Sequence, residues 1–290
     1  MRLSDVKLGM DASPLPRIQT IAVTSGKGGV GKTNIATNLA LSLARSGRTA
    51  MLLDADLGMA NVDSLLGLHA HVNLMDVLGG ECSLEEIIIE GPSGLLIVPA
   101  ASGNKHLSEL GALECGGIVH AFSDLDYKID TLVIDTATGI SEVVTSFCQA
   151  SNHVLVIATN EPASVRDCVA QIRLLNDRNA IAHFHVLANM VRTAREGREL
   201  YRIIMEQLGD EHHAVISYAG FVPWDDSMRK AVTSRKAVIA ASPESKSALA
   251  INALARRTGR WSRPGAPHGR IEFFVERILQ QNNVEMEVLS

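Results

Sequence analysis

The chain has 290 residues, 46% hydrophobic and 20% charged, with a formal net charge of −5 at pH 7. That length suits one large α/β domain or two small ones, and that composition supplies a real core rather than a disordered or fibrous chain. A net negative surface speaks against a protein built to coat nucleic acid.

Cys82, Cys115, Cys148 and Cys168 lie far apart, with no CxxC pair. This argues against a disulfide framework or a zinc site and fits a reducing cytoplasm. The first twenty residues hold no apolar run of the signal-peptide kind. No stretch approaches the roughly 20 apolar residues that span a bilayer. Residues 1–17, with Pro14 and Pro16, read as a flexible arm. From Ile18 the chain alternates short β-rich runs with helical patterns. The strands read at 18–25, 49–56, 94–100, 129–136, 153–160, 183–190 and 214–223, and the clearest helices at 32–47, 164–179 and 194–209. Continuous apolar runs belong to parallel strands covered on both faces. Their alternation with helices predicts an α/β fold with a doubly wound, mostly parallel sheet. We expect a domain over 18–262, followed by a linker and an amphipathic helix over 263–290.

Gly26-Lys27-Gly28-Gly29-Val30-Gly31-Lys32-Thr33 fits GxxxxGK[ST] and stands between an expected strand and an expected helix. Glycines let backbone N–H groups curl around phosphate oxygens, and the helix N-terminus adds partial positive charge. Lys32 is expected to reach the β- and γ-phosphates, and the Thr33 hydroxyl to ligate Mg²⁺. Asn34 follows directly. Lys27 is a second lysine in the same loop. It is poorly placed for its own pocket, but it could point outward across a face-to-face dimer and act like an arginine finger. The plainer alternative is a solvated loop lysine.

Asp54 and Asp56 end the second strand, at i and i+2, so they can face one pocket at the carboxyl end of the sheet. Asp135 follows the apolar run Leu132, Val133 and Ile134 near the end of a strand, in the manner of a Walker-B aspartate. "TNEPAS" carries neither the lysine nor the aspartate of a guanine-reading N-K-x-D motif. Asn189 can pair a donor and an acceptor on the edge of adenine, so ATP is favoured over GTP. Toward the C-terminus, "IEFFVERIL" sets Ile271, Phe274, Val275, Ile278 and Leu279 on one helical stripe. Arg256, Arg257, Arg260, Arg263 and Arg270 precede it. Such a helix suits a membrane interface with anionic lipids. The alternative is that it packs on the domain or on a partner protein.

"KGGVGKT", "LLDADLGMANVD" and "LVIDTATG" together resemble the MinD/ParA family of deviant-Walker-A P-loop ATPases, of the SIMIBI class, from residue 20 to about 280. The resemblance implies that Lys27 works in trans in an ATP-bound homodimer and that Asp56 orients the attacking water. It implies that Mg²⁺ is held by Thr33, Asp56 and Asp135, with Asp54 a further candidate acting through water. Gly139 would sense the γ-phosphate. Asn189 would contact adenine, with Pro223, Trp224 and Asp225 closing over the base. "DADLGMANVDSLLGL", "LIVPAASG" and "EFFVERIL" are most similar to the flagellar number-and-placement branch, called FlhG or FleN. That branch implies an FlhF-type GTPase or a flagellar transcription regulator as partner. It also implies peripheral attachment to the inner face of the cell membrane in the ATP state, and no sequence-specific nucleic acid. The arm lacks the DQAxxLR-type motif with which some members activate the GTPase. MinD-type division-site and ParA-type DNA-partition ATPases are the alternatives. An iron–sulfur carrier would place a cysteine where this chain reads "TATGIS", and a non-hydrolysing scaffold would not need all of Lys27, Lys32, Asp56 and Asp135.

Overall fold

The computed structural model describes residues 18–56, 62–100, 110–179, 181–209, 214–261 and 272–274. Its elements run β1 (Gln19–Ser25), α1 (Lys32–Arg45), β2 (Ala50–Ala55), α2 (Val62–Leu66), α3 (Leu74–Leu78), α4 (Leu84–Ile87), β3 (Ile89–Glu90) and β4 (Leu96–Val98). They continue α5 (Ala112–Ala121), β5 (Thr131–Thr138), α6 (Glu142–Gln149), β6 (His153–Ala158), α7 (Pro162–Asn179), β7 (His183–Val191) and α8 (Ala194–Leu208). The last are β8 (Val215–Pro223), α9 (Asp226–Thr233), α10 (Val238–Ala241) and α11 (Lys246–Thr258). Every strand expected from the sequence is present. The two-residue β3 is an addition; a segment that short carries no periodicity to read.

The eight strands form one sheet in the order β3-β4-β2-β5-β1-β6-β7-β8. All neighbours run parallel except β3 and β4. Alternation along each strand explains the continuous apolar runs. Ile21, Val23, Leu52, Val133, Leu155 and Ile157 pack on one face, against α1, α10 and α11. Met51, Leu53, Leu132 and Ile134 pack on the other, against α5 and α6, while Val154 and Val156 lie there with α7 and α8. Both faces are covered, so both parities of each strand must be apolar. Chain direction away from the central β1 reverses here, and ligands bind such sheets outside the strands' carboxyl ends. The loops after β1, β5, β6, β7 and β8 converge at that end, with the carboxyl end of β2.

One residue of the expected C-terminal stripe has a different place. Phe273 and Phe274 are 2% and 1% exposed, packed edge-on against Phe122, with Phe273 stacked on Phe147. Phe273 N–H donates to the Ala150 carbonyl, and Phe274 turns left-handed with φ 60°. Phe274 is therefore a core residue in a turn, not part of a lipid-facing helix. A buried aromatic pair removes more apolar area from water than one interfacial turn could. Ile271, Val275, Ile278 and Leu279 lie outside the described residues, as do the arm and residues 262–270. Of the basic cluster, Arg257 donates to the Ala219 carbonyl and so fastens α11 to β8.

At the opposite end of the sheet, His185 is buried, its ring parallel to Trp261 with centroids 3.6 Å apart, and its Nε2 is 3.2 Å from His153 Nδ1. Burial, with His153 and His183 nearby, pushes the His185 pKa down to about 3. The folded state therefore binds fewer protons than the unfolded chain between that value and the ordinary 6.5. The associated stability is present above pH 6.5 and is lost as pH falls toward 3. Between pH 7 and pH 5 this costs about 2 kcal/mol. Urea unfolding should show a smaller acid loss, by about that amount, in His185→Phe than in wild type. An equal loss in both would remove His185 as the cause.

Candidate active site

The phosphate loop leaves β1 at Ser25, whose Oγ donates to the Lys27 carbonyl at 3.0 Å. Val30 anchors the loop by burying its side chain in the core, while Gly28 and Gly29 stay exposed. Two glycines are obligatory. At Gly26 a Cβ would stand 2.4 Å from the Asp167 carbonyl oxygen of α7. Gly31 has φ 88°, and a Cβ there would stand 2.6 Å from Asn189 Nδ2. α1 begins with no side-chain cap and no acid in its first turn. Its first N–H groups and dipole thus face the loop, as an anion site requires.

Lys32 Nζ donates to Asp135 Oδ1 at 2.9 Å, with the two side chains 6% and 0% exposed. The expected phosphate lysine and the expected Walker-B aspartate therefore meet as a buried pair. Asp135 Oδ2 and Asn34 Oδ1 are buried with no hydrogen-bond partner among the described residues. An orphaned carboxylate oxygen fits a hard cation with its shell of water, and Thr33, next in sequence to Lys32, is half-buried. Asp54 stands beside Asp135 in the parallel register of β2 and β5. Its Oδ1 accepts the Asp56 N–H at 3.2 Å and its Oδ2 the Val62 N–H at 3.1 Å. Asp54 braces the backbone of the segment that presents the half-buried Asp56.

Lys27 pairs with Glu161 of its own chain on the site's rim, with side chains 33% and 59% exposed. Beside the rim lies a cleft of about 530 Å³, lined by Thr159, Asn160, Glu161, Met190, Arg192, Glu196 and Trp224. Asn160 donates to Glu196 at 2.9 Å, and the Arg192 N–H to the same carboxylate at 2.7 Å. The latter bond leads in holding Glu196 below the usual carboxylate range. Trp224 is an exposed wall of this cleft, hung from the Val191 carbonyl by its N–H, and Pro223 pairs with Val191 in the sheet.

Two residues expected at the base are engaged elsewhere. Asn189 Nδ2 donates to the Val30 carbonyl at 2.7 Å, so its amide nitrogen props the phosphate loop. Asp225 caps α9 through Ser227 N–H and clamps α11 through the N–H and hydroxyl of Ser247. Burial acts to raise its pKa, but these donors prevail and hold it down to about 2. A carboxylate with three donors is an anchor between helices. Arg166 and Asp167 lie 3.5 Å apart on the exposed start of α7. Sequence reasoning missed Glu161 as the partner of Lys27, together with Met190 and Glu196. Of these only Met190 carries a signature, a left-handed φ of 58°, and that is visible in the backbone alone.

A family model described as ParA, NUBPL iron-transfer P-loop NTPase, matches residues 17–258. The chain is 47% identical to the antiactivator FleN of Pseudomonas aeruginosa over 263 residues, which are 91% of this chain and 94% of that protein. It is 32% identical to the flagellum site-determining protein YlxH of Helicobacter pylori, over 90% of this chain and 89% of that one. The fold is similar to the septum site-determining protein MinD of Pyrococcus horikoshii, solved with Mg-ADP. There the TM-score is 0.70 at 23% identity, covering 83% of this chain and 96% of that one. Loop, lysines and aspartates stand at the carboxyl end of this sheet. The chain therefore belongs to the ParA/MinD family of P-loop NTPases, as an ATPase that uses ATP and Mg²⁺.

Proposed function

We propose that this ATPase is the switch that limits flagellar number and placement, closing as an ATP-bound homodimer and reopening on hydrolysis. Lys27 carries the reading: the extra lysine sits on the exposed rim, held by Glu161, rather than inside with Lys32 and Asp135. A charge parked at the rim is available to a second subunit. The likeness to FleN and YlxH along nearly the whole chain favours flagellar control over division-site or DNA-partition roles. Partners of this class are an FlhF-type GTPase or a flagellar transcription regulator. Residues beyond Phe274 attach the closed dimer to anionic lipid on the inner face of the membrane.

The chain's own groups divide the work. The N–H groups of the loop and of the first turn of α1 bind the phosphates. Lys32 moves from Asp135 toward the phosphates, which frees both oxygens of Asp135. Thr33 and Asp135 would hold Mg²⁺, which would supply positive charge against the phosphate oxygens. Asp56, braced by Asp54, orients water. Lys27 exchanges Glu161 for the phosphates of the neighbouring subunit and supplies positive charge there, as an arginine finger does. Turnover is slow because such a switch times a binding state.

Light scattering with ADP and with a non-hydrolysable ATP analogue tests this. Wild type should be monomeric with ADP and dimeric with the analogue, and Lys27→Ala should stay monomeric in both while still binding nucleotide. A wild type that is monomeric in both would refute the dimer switch.

A further inference from the structure

Gln171 of α7 is fully buried, and its two amide hydrogens go to two different parts of the site. One bond runs to Thr24 Oγ1 at 2.8 Å, in the strand that feeds the phosphate loop. The other runs to the Gly139 carbonyl at 2.9 Å, in the loop that follows β5 and Asp135. Gly139 has φ 94°, and its N–H donates to the Ser25 carbonyl at 2.9 Å. Both backbone polar groups of Gly139 are thus engaged: the N–H by the start of the phosphate loop, the carbonyl by α7. A loop held in this way cannot present its N–H to a phosphate until it leaves Ser25.

The amide is also incompletely satisfied. Gln171 Oε1 is buried with no partner among the described residues. A buried orphan acceptor is costly, and in a native structure it calls for a reason such as a second state. On its side of α7, three residues before it and four after, stand the buried Cys168 and Leu175, so an apolar residue would fit by pattern. The same helix touches the phosphate loop again at its start. Glu161 stands at its entrance holding Lys27, and the Asp167 carbonyl abuts Gly26.

We infer that Gln171 is a positioning residue that holds the Gly139 loop in its resting position and couples release of that loop to α7. The inference rests on reading the Gly139 loop as the γ-phosphate sensor. When Gly139 turns from Ser25 toward a γ-phosphate, its carbonyl leaves Gln171. Phosphate occupancy then becomes a changed contact on the helix whose entrance holds Lys27. Gln171 touches no substrate; it sets how readily the loop answers to the third phosphate.

The test uses the full chain with Mg²⁺, comparing wild type, Gln171→Leu and Gln171→Met. ADP and a non-hydrolysable ATP analogue are titrated by calorimetry, and amide hydrogen exchange is followed over 136–143. Losing the clamp should tighten the analogue about fivefold to tenfold and leave ADP unchanged. Exchange over 136–143 with ADP should quicken, while 165–176 stays protected. Equal shifts for both nucleotides, with faster exchange throughout α7, would make Gln171 a packing residue and overturn the proposal. Unchanged affinities with unchanged exchange would overturn it as well. The Met variant guards against misfolding of the branched one. If wild type itself binds the two nucleotides equally, the γ-phosphate reading of Gly139 fails. The clamp is then judged on exchange over 136–143 alone: faster in the variants upholds it, unchanged removes it.

Discussion

Lys32→Ala is expected to abolish ATP hydrolysis and also to destabilise the fold by about 3–5 kcal/mol, the cost of breaking a buried ion pair from one side. The first effect follows from the phosphate loop and would be expected of any such protein. The second belongs to this structure. Among the described residues Lys32 is the only donor on Asp135, whose side chain is 0% exposed and whose Oδ2 has no partner there. Removing the ammonium leaves a carboxylate with neither water nor charge opposite it. The double variant Lys32→Met with Asp135→Asn should recover most of the stability and none of the hydrolysis, because a neutral pair buries without that penalty. Urea unfolding of the three proteins without nucleotide, beside a phosphate-release assay, separates the two effects. A single variant as stable as wild type would mean that water reaches Asp135.

The second large effect concerns where the chain is cut. Truncation after Gly269 removes Phe273 and Phe274 from between Phe122 and Phe147 and should lower stability by about 3–5 kcal/mol or more, the range for deleting a buried aromatic side chain. Truncation after Phe274 keeps both rings. It should leave the unfolding midpoint and nucleotide affinity near wild type, while abolishing co-sedimentation with anionic vesicles in the ATP state. A protein ending at Phe274 that still sediments would place the lipid contact elsewhere. Equal stability of the two truncations would show that the rings pack without contributing. The contrast matters because a cut at 269 alone confuses a lost membrane contact with a damaged core.

No helix of the described residues is long and apolar enough to cross a membrane. The attachment proposed above is assigned to the tail, where one copy would bind weakly and dimerisation would double the contact.

The strands, the phosphate loop and the alternation of strand and helix are legible in the sequence for a local reason. Burial on both faces demands unbroken apolar runs, and a backbone curled around phosphate demands glycines at fixed spacing. Those requirements act over a few residues, so they leave a readable pattern. Lys32 and Asp135 were likewise found separately, each from its own strand-end or loop motif. Their meeting as a buried pair was not, because they are 103 residues apart and only the order β2-β5-β1 makes them neighbours. The same is true of Lys27 with Glu161, of Gln171 with Gly139, and of Asn189 with Val30. Asp54 and Asp225 show the reverse case. Their types and places suited a ligand role, but the nearest N–H groups claimed them as braces and caps. Phe274 carried a helical stripe's periodicity, yet a cavity lined by Phe122 and Phe147 offered more burial than a solvent-facing turn. By itself the sequence determined which chemistry the site can hold. The tertiary structure decided which side chains are free to perform it, because hydrogen-bond partners are chosen by distance in space and not along the chain.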